Sequence, residues 1–264
     1  MSGLIFRLYC AGVLVFLSLP IVVAVGVAFG SDKIARFPPT ALSVRWFGVA
    51  LSNPTFLTAL GNSVILAALT TLLTILIGLP AAMALVRHRL PGQHALETFL
   101  LSPLSLPGVL FGVAMLFFLG ASGFGLTWWG ILVAHVVIAV PYVLRTTLAV
   151  YRGLDRGFEE TAGVLGANPW QTFWHVTLPL VRPGLVAGGL FAFLTSFDNV
   201  PVSIFLTTAR TTTLPVTIMS YLVNQDFDPI VGAISAVQVA LVLVLLILLD
   251  RVYGIGRITA LGGQ

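Results

Sequence analysis

Residues 98–144 read TFLLSPLSLPGVLFGVAMLFFLGASGFGLTWWGILVAHVVIAVPYVL, a run without one Asp, Glu, Lys or Arg. A helix needs about 20 apolar residues to cross roughly 30 Å of hydrocarbon, so the run has room for two. The turn signals of Gly120-Ala-Ser-Gly-Phe-Gly125 separate them, and Trp128 and Trp129 belong at a membrane interface. The rest of the chain agrees. Of its 264 residues 58% are hydrophobic and 8% charged, with a mean hydropathy of +1.05. Soluble domains carry about a quarter charged residues, so a water-soluble globule is excluded.

Working outward, residues 8–29 form an apolar run longer than the core of a cleaved signal peptide and read as a retained helix. Residues 64–86 follow, broken by Pro80. Beyond the central run lie residues 184 to about 206, and residues 230–249 interrupted by Gln238. The expectation is an all-α polytopic membrane protein, one transmembrane domain over residues 1–264. Its six spans fall at about 8–29, 62–86, 98–119, 128–146, 184–206 and 230–249. Pro103, Pro107, Pro141 and Pro201 read as helix kinks, which a bundle tolerates.

Orientation follows from the basic residues, because positive loops stay cytoplasmic. With the N-terminus inside, Arg7, Arg87, Arg89, Arg145, Arg152, Arg156, Arg182, Arg251 and Arg257 are cytoplasmic. Only Lys33, Arg36, Arg45 and Arg210 are outside. Both termini are therefore expected in the cytoplasm, with outer segments at about 32–53 and 210–228. The pI of about 9.7 rests on arginines strewn singly between apolar stretches, which are topology signals and no nucleic-acid surface. Cys10, the single cysteine, excludes an internal disulfide or a cysteine metal cluster. His88, His94, His135 and His175 lack metal-ligand spacing, and no nucleophile elbow is present.

The cytoplasmic loop at about 152–182 is patterned rather than loose; residues 154–183 read LDRGFEETAGVLGANPWQTFWHVTLPLVRP. Asp155, Glu159 and Glu160 put acids in the first turns of one short helix, with Leu154, Phe158, Ala162 and Leu165 on an apolar face. Gly166 ends it. Asn168 supplies an N-cap and Pro169 the first position of a second helix, which carries Trp170, Phe173 and Trp174 and stops at Leu178-Pro179. Such a helix-turn-helix either docks on a partner or lies in the lipid interface.

The order Glu160-Thr161-Ala162, Gly166 six residues after Glu160, and Val176-Thr177-Leu178-Pro179 resembles the EAA loop of inner-membrane permeases in binding-protein-dependent ABC importers. Thr161 stands where alanine is usual, and Val176 where isoleucine is commoner. The stretches His135 to Val143, Ser196-Phe-Asp198-Asn199 to Phe205, and Thr213 to Tyr221 resemble the spermidine/putrescine-type branch, particularly its second permease subunit. Related branches import thiamine, phosphonates, opines or ferric iron. Where the polyamine permeases carry two successive acids, this chain has Asp198 and Asn199.

The resemblance implies a type I importer permease fold in a bacterial inner membrane. A second permease, two copies of a cytoplasmic ABC ATPase and a periplasmic binding protein would complete the machine. It implies no catalysis by this chain, with ATP and Mg held by the ATPase subunits. Independently, an ordinary phosphate loop needs a lysine, and Lys33, the only one here, falls on the expected outer side. Glu159, Glu160, Thr161, Ala162, Gly166, Ala167, Leu178 and Pro179 are the expected ATPase-coupling residues, with Glu160 as anchor. Asp198, at about 20 Å into the fifth span, heads a polar stripe with Thr195, Ser196 and Asn199 that lines a solute path, with His135 nearby. A carboxylate there favours a polyamine or another cationic or zwitterionic solute. A structural Asp paired to a neighbouring helix through His135 is the alternative. The rival reading is a lone channel or a membrane-embedded enzyme; the enzyme would need paired ionisable or nucleophilic residues within the spans, where only Asp198 is clearly charged.

Overall fold

The computed structural model of the chain describes residues 3–88, 90–224 and 229–253. These are helical apart from turns, connecting loops and one isolated bridge between Gly30 and Leu42. The apolar α1 (Gly3–Ala28) is followed by the short α2 (Arg45–Ser52), and Pro54 opens α3 (Pro54–Arg87). Next come α4 (Gln93–Leu101), α5 (Gly108–Ala121) and α6 (Trp128–Tyr151). The expected cytoplasmic loop holds α7 (Gly157–Val164) and α8 (Pro169–Thr172), ahead of α9 (Leu178–Phe197). α10 (Ser203–Leu206), α11 (Leu214–Asn224) and α12 (Pro229–Tyr253) complete the order. Five helices are long and apolar enough to cross a membrane, or six when the bent pair α4 and α5 counts as one span.

Two spans depart from the sequence reading. The third is no single helix over 98–119: α4 and α5 meet at 107° across a 3-10 turn over Ser102–Ser105. Pro107 disfavours helical backbone at Leu106, which is extended at φ −87° and ψ 133°. In the fifth, the second loop helix does not stop at Leu178-Pro179. It runs through a π-helical turn over Phe173–Thr177 into α9, giving one 29-residue run from Pro169 to Phe197. Pro179 has no N–H, and its ring crowds the carbonyl of residue 175 in an α-helix. The wider π register, with the Leu178 N–H bonded to Phe173 O, gives that ring room. At the other end α9 stops well short of residue 206. Pro201 disfavours helix at Val200, and Asn199 Oδ1 accepts from the Val202 N–H at 3.0 Å, closing a turn instead. The segments expected outside are likewise not bare loops, since α2 and α11 lie in them.

Chain contacts divide the molecule into two units. The larger, Leu60–Val216 with residues 248–253, is built around α6. Gly184 and Gly188 of α9 press on it so closely that an added Cβ would lie 2.8 Å from Thr146 O and 2.7 Å from Val143 Cα. Gly78 of α3 meets Val143 from another side, where a Cβ would lie 2.9 Å from its Cγ1. Leu66, Met115, Leu119, Ile131, Val202 and Leu206 fill the core near the start of α6.

The other unit joins the chain up to Ala59 with Thr217–Ile247. Gly232 of α12 faces α1, where a Cβ would lie 3.3 Å from both Ala24 O and Ala28 N. The turn between α1 and α2 is tied by Asp32, whose carboxylate accepts from Thr40 N at 3.1 Å and Thr40 Oγ1 at 2.6 Å. Those hydrogen bonds hold the Asp32 carboxyl below its usual range. The Trp46 indole N–H donates to Asp32 O at 3.1 Å. Arg89, Arg257 and Asp226, and the outer segment over 225–228, lie outside the described residues.

Candidate functional site

Gly166 adopts φ +89°, a left-handed conformation that suits glycine, and terminates α7 with Ala167 N bonded to Ala162 O at 3.0 Å. Two residues on, Asn168 Oδ1 accepts from Gln171 N and Gln171 Oε1 from Asn168 N, each at 2.9 Å, a complete capping box with Pro169 at the first helical position. The helix-turn-helix therefore has rigid local geometry at its bend. Its outward edge is apolar: Leu165 and Val164 are 82% and 89% exposed, and Trp170 68%. Phe158 and Trp174 are exposed as well, so most of the expected apolar face of α7 does not pack inward; Leu154, Phe173 and Leu178 join the buried cluster below.

What faces inward on α7 is a charge. Glu159 Oε1 accepts from Tyr151 Oη at 2.9 Å and from Thr177 Oγ1 at 2.8 Å, while Glu159 Oε2 pairs with Arg87 Nε at 2.8 Å. Arg87 also donates to Tyr151 Oη at 2.9 Å and lies over the Tyr151 ring at 4.4 Å from its centroid. Burial pushes the Glu159 carboxyl up, but the hydrogen bonds from Thr177, Tyr151 and Arg87 outweigh it and hold it below the usual range. Beside this cluster a cavity of about 380 Å³ opens, bounded by Met83, Arg87, His88, Gly163 and Phe173. Glu160, its neighbour in sequence, is exposed, as are Thr161 and Pro179; Ala162, Ala167 and Leu178 are half-buried. Sequence reasoning missed Arg87, Tyr151 and Thr177, although Thr177 stands inside the Val-Thr-Leu-Pro motif.

The residues expected on a solute path separate. Asp198 sits at the C-terminal cap of α9, exposed, about 30 Å along the helix from Leu178. Thr195 and Asn199 are half-buried, and the Asn199 side chain is spent on its turn. His135 and Ser196 face the interior. His135 Nδ1 bonds Ser196 Oγ at 2.8 Å, and its Nε2 bonds Ser203 Oγ at 3.0 Å. Ser196 in turn reaches Thr70 Oγ1 at 3.4 Å. This chain of polar groups joins α3, α6, α9 and α10, with both ring nitrogens of His135 engaged in it.

Residues 74–255 match the family described as binding-protein-dependent transport system inner membrane component. The chain belongs to this family. It is a permease subunit of a binding-protein-dependent ABC importer, a multi-pass inner-membrane protein without catalytic activity of its own. Among its relatives, the putrescine transport system permease protein PotI of Escherichia coli K12 is 31% identical over 83% of this chain and 80% of its own. The spermidine/putrescine transport system permease protein PotC of Haemophilus influenzae is 31% identical over 88% of this chain and 90% of its own. The molybdenum transport system permease protein ModB of Mycobacterium bovis is 30% identical over 89% and 93%. A bacterial ABC transporter importing the acidic polysaccharide alginate shares the fold, with a TM-score of 0.73 at 17% identity over 95% of this chain and 96% of that one.

Proposed function

We propose that this permease forms a solute path with a second, different permease subunit, and that two copies of a cytoplasmic ABC ATPase, holding ATP and Mg, grip the α7 to α8 bend. A periplasmic binding protein delivers the solute to the outer segments around α2 and α11, and both termini are cytoplasmic. The observation that carries the reading is the apolar edge of Val164, Leu165 and Trp170, presented on a rigid bend next to the exposed Glu160. An apolar edge of this kind calls for a partner surface, and membership in an importer family makes that partner the ATPase. Purifying the tagged chain from its membrane tests this: an ATPase and a second multi-pass permease are expected to accompany it. Recovery of this chain alone overturns the assembly.

The cargo reading is a polyamine or another cationic or zwitterionic solute. Permeases named for putrescine and for spermidine/putrescine stand at 31% identity and one named for molybdenum at 30%, so overall identity does not select the cargo. The carboxylate of Asp198, exposed at the end of α9, favours cations in a passage of low dielectric. Asp198→Asn in the reconstituted complex is expected to reduce putrescine uptake about tenfold while leaving assembly intact, the scale of losing one charge-assisted contact. Unchanged uptake removes Asp198 from the path.

A further inference from the structure

The two arms of the cytoplasmic bend are attached to the membrane helices by different means. α8 continues through the π turn into α9 without a break, so any displacement of α8 reaches α9 through a continuous helical backbone. α7 has no such continuity, because residues 152–156 separate it from the end of α6. A loop of that kind would let α7 swing about its start and deliver nothing to α6 or α3. The Glu159 cluster stands where the missing continuity should be. One carboxylate binds the last residue of α6 (Tyr151), the last residue of α3 (Arg87) and the π turn leading into α9 (Thr177). Arg156, just ahead of α7, adds a bond from its guanidinium to Val86 O at 2.9 Å.

We propose that Glu159 is a positioning residue, the joint through which α7 moves α3, α6 and α9 as one body, and not a contact for the ATPase. The proposal rests on the importer reading above. Both carboxylate oxygens are already engaged inside the chain, and the side chains of Arg87 and Glu159 are only 16% and 21% exposed, so the pair is shielded from the solvent that makes surface ion pairs weak. Glu160 and the apolar edge remain free for the ATPase. Rigid elements that shift between two arrangements need such a fixed connection, since a slack one dissipates the displacement.

The test measures solute taken up per ATP hydrolysed by the full complex in proteoliposomes. If the wild-type complex assembles no ATPase or moves no solute, the importer reading fails. Given a working wild type, Glu159→Gln is expected to assemble with the ATPase and to lose about tenfold in uptake per ATP, the scale of a coupling interaction between sites. Arg87→Gln is expected to lose a similar factor, and the double variant no more than the worse single one, because both remove the same connection. Losses that multiply overturn the proposal. So does a Glu159→Gln chain that is folded in the membrane but no longer holds the ATPase, which returns Glu159 to the docking surface. Should Glu159→Gln fail to fold, Tyr151→Phe and Thr177→Val each delete one donor while keeping bulk. Each is expected to lower uptake per ATP by about threefold, and wild-type values in both overturn the joint.

Discussion

The seam between α6 and α9 and the joint around Glu159 fasten the same helices by opposite means. At the closest points of the seam small residues do the fastening: Gly184 and Gly188 bring α9 against Thr146 O and Val143 Cα of α6. At the joint the fastening is polar side chain, with three groups, Arg87, Tyr151 and Thr177, converging on the Glu159 carboxylate. The difference follows the surroundings. In hydrocarbon a helix gains nothing by hiding Leu from lipid, so association depends on close packing through small residues. Beyond the hydrocarbon, ionised groups are affordable, and a shielded charge cluster gives direction as well as attraction.

The largest effect is expected where the seam leaves no space. Gly188→Leu would force its side chain into Val143 and Thr146 of α6. Overpacking of this sort costs about 1–3 kcal/mol or more. The yield of folded permease in detergent is expected to collapse, and a normal yield would mean that the seam can open. Next comes His135, a polar ring inside the apolar region. It is wholly buried, and His135→Ala leaves the hydroxyls of Ser196 and Ser203 without the ring between them. Each unsatisfied group costs about 1–3 kcal/mol. The thermal midpoint of the permease is expected to fall, and Ser196→Ala with Ser203→Ala added in the same chain to restore part of it. No recovery would show that ring volume, not hydrogen bonding, matters there.

The joint is expected to respond to acid. Because the folded-state carboxyl of Glu159 lies below its reference value of 4.5, its contribution is complete above that pH and is lost as pH falls through the depressed value. Uptake per ATP should therefore hold from neutral pH down to the usual glutamate range and fail only below it. His88 borders the same cavity, so the measurement belongs in a His88→Asn background. A decline that begins well above 4.5 would mean another group governs the joint. The smallest effect is expected from Glu97→Gln, which breaks the pair between Glu97 of α4 and the half-exposed Arg152. Glu97 is 18% exposed but Arg152 is 50% exposed, and a pair with one partner in solvent contributes about 0–1 kcal/mol, so stability should change little and the change should shrink in high salt.

Local rules made much of this legible. The Asn168 cap, Pro169 at the helix start and the turn at Gly166 depend on residues within a few positions of one another, and the structure forms them as the sequence indicates. The π turn was not legible, since Leu178-Pro179 reads locally as a stop and only the continuation into α9 shows otherwise. Nor was the inward turn of Glu159. On a helical wheel it belongs to the polar side of α7, and its partner Tyr151 looks like an interface aromatic at the end of a span.

The sequence by itself determined that this is a multi-pass helical membrane protein with a helix-turn-helix between two of its spans, because transfer of apolar runs into lipid and helix capping are local energies. The tertiary structure alone decided which polar groups meet. His135 finds Ser196 and Ser203 at separations of 61 and 68 residues, and Arg87 finds Tyr151 at 64. Such pairings depend on the rotation and depth at which packed helices stop against one another, which here is set by backbone contacts at glycines, and the periodicity of a single helix does not encode it.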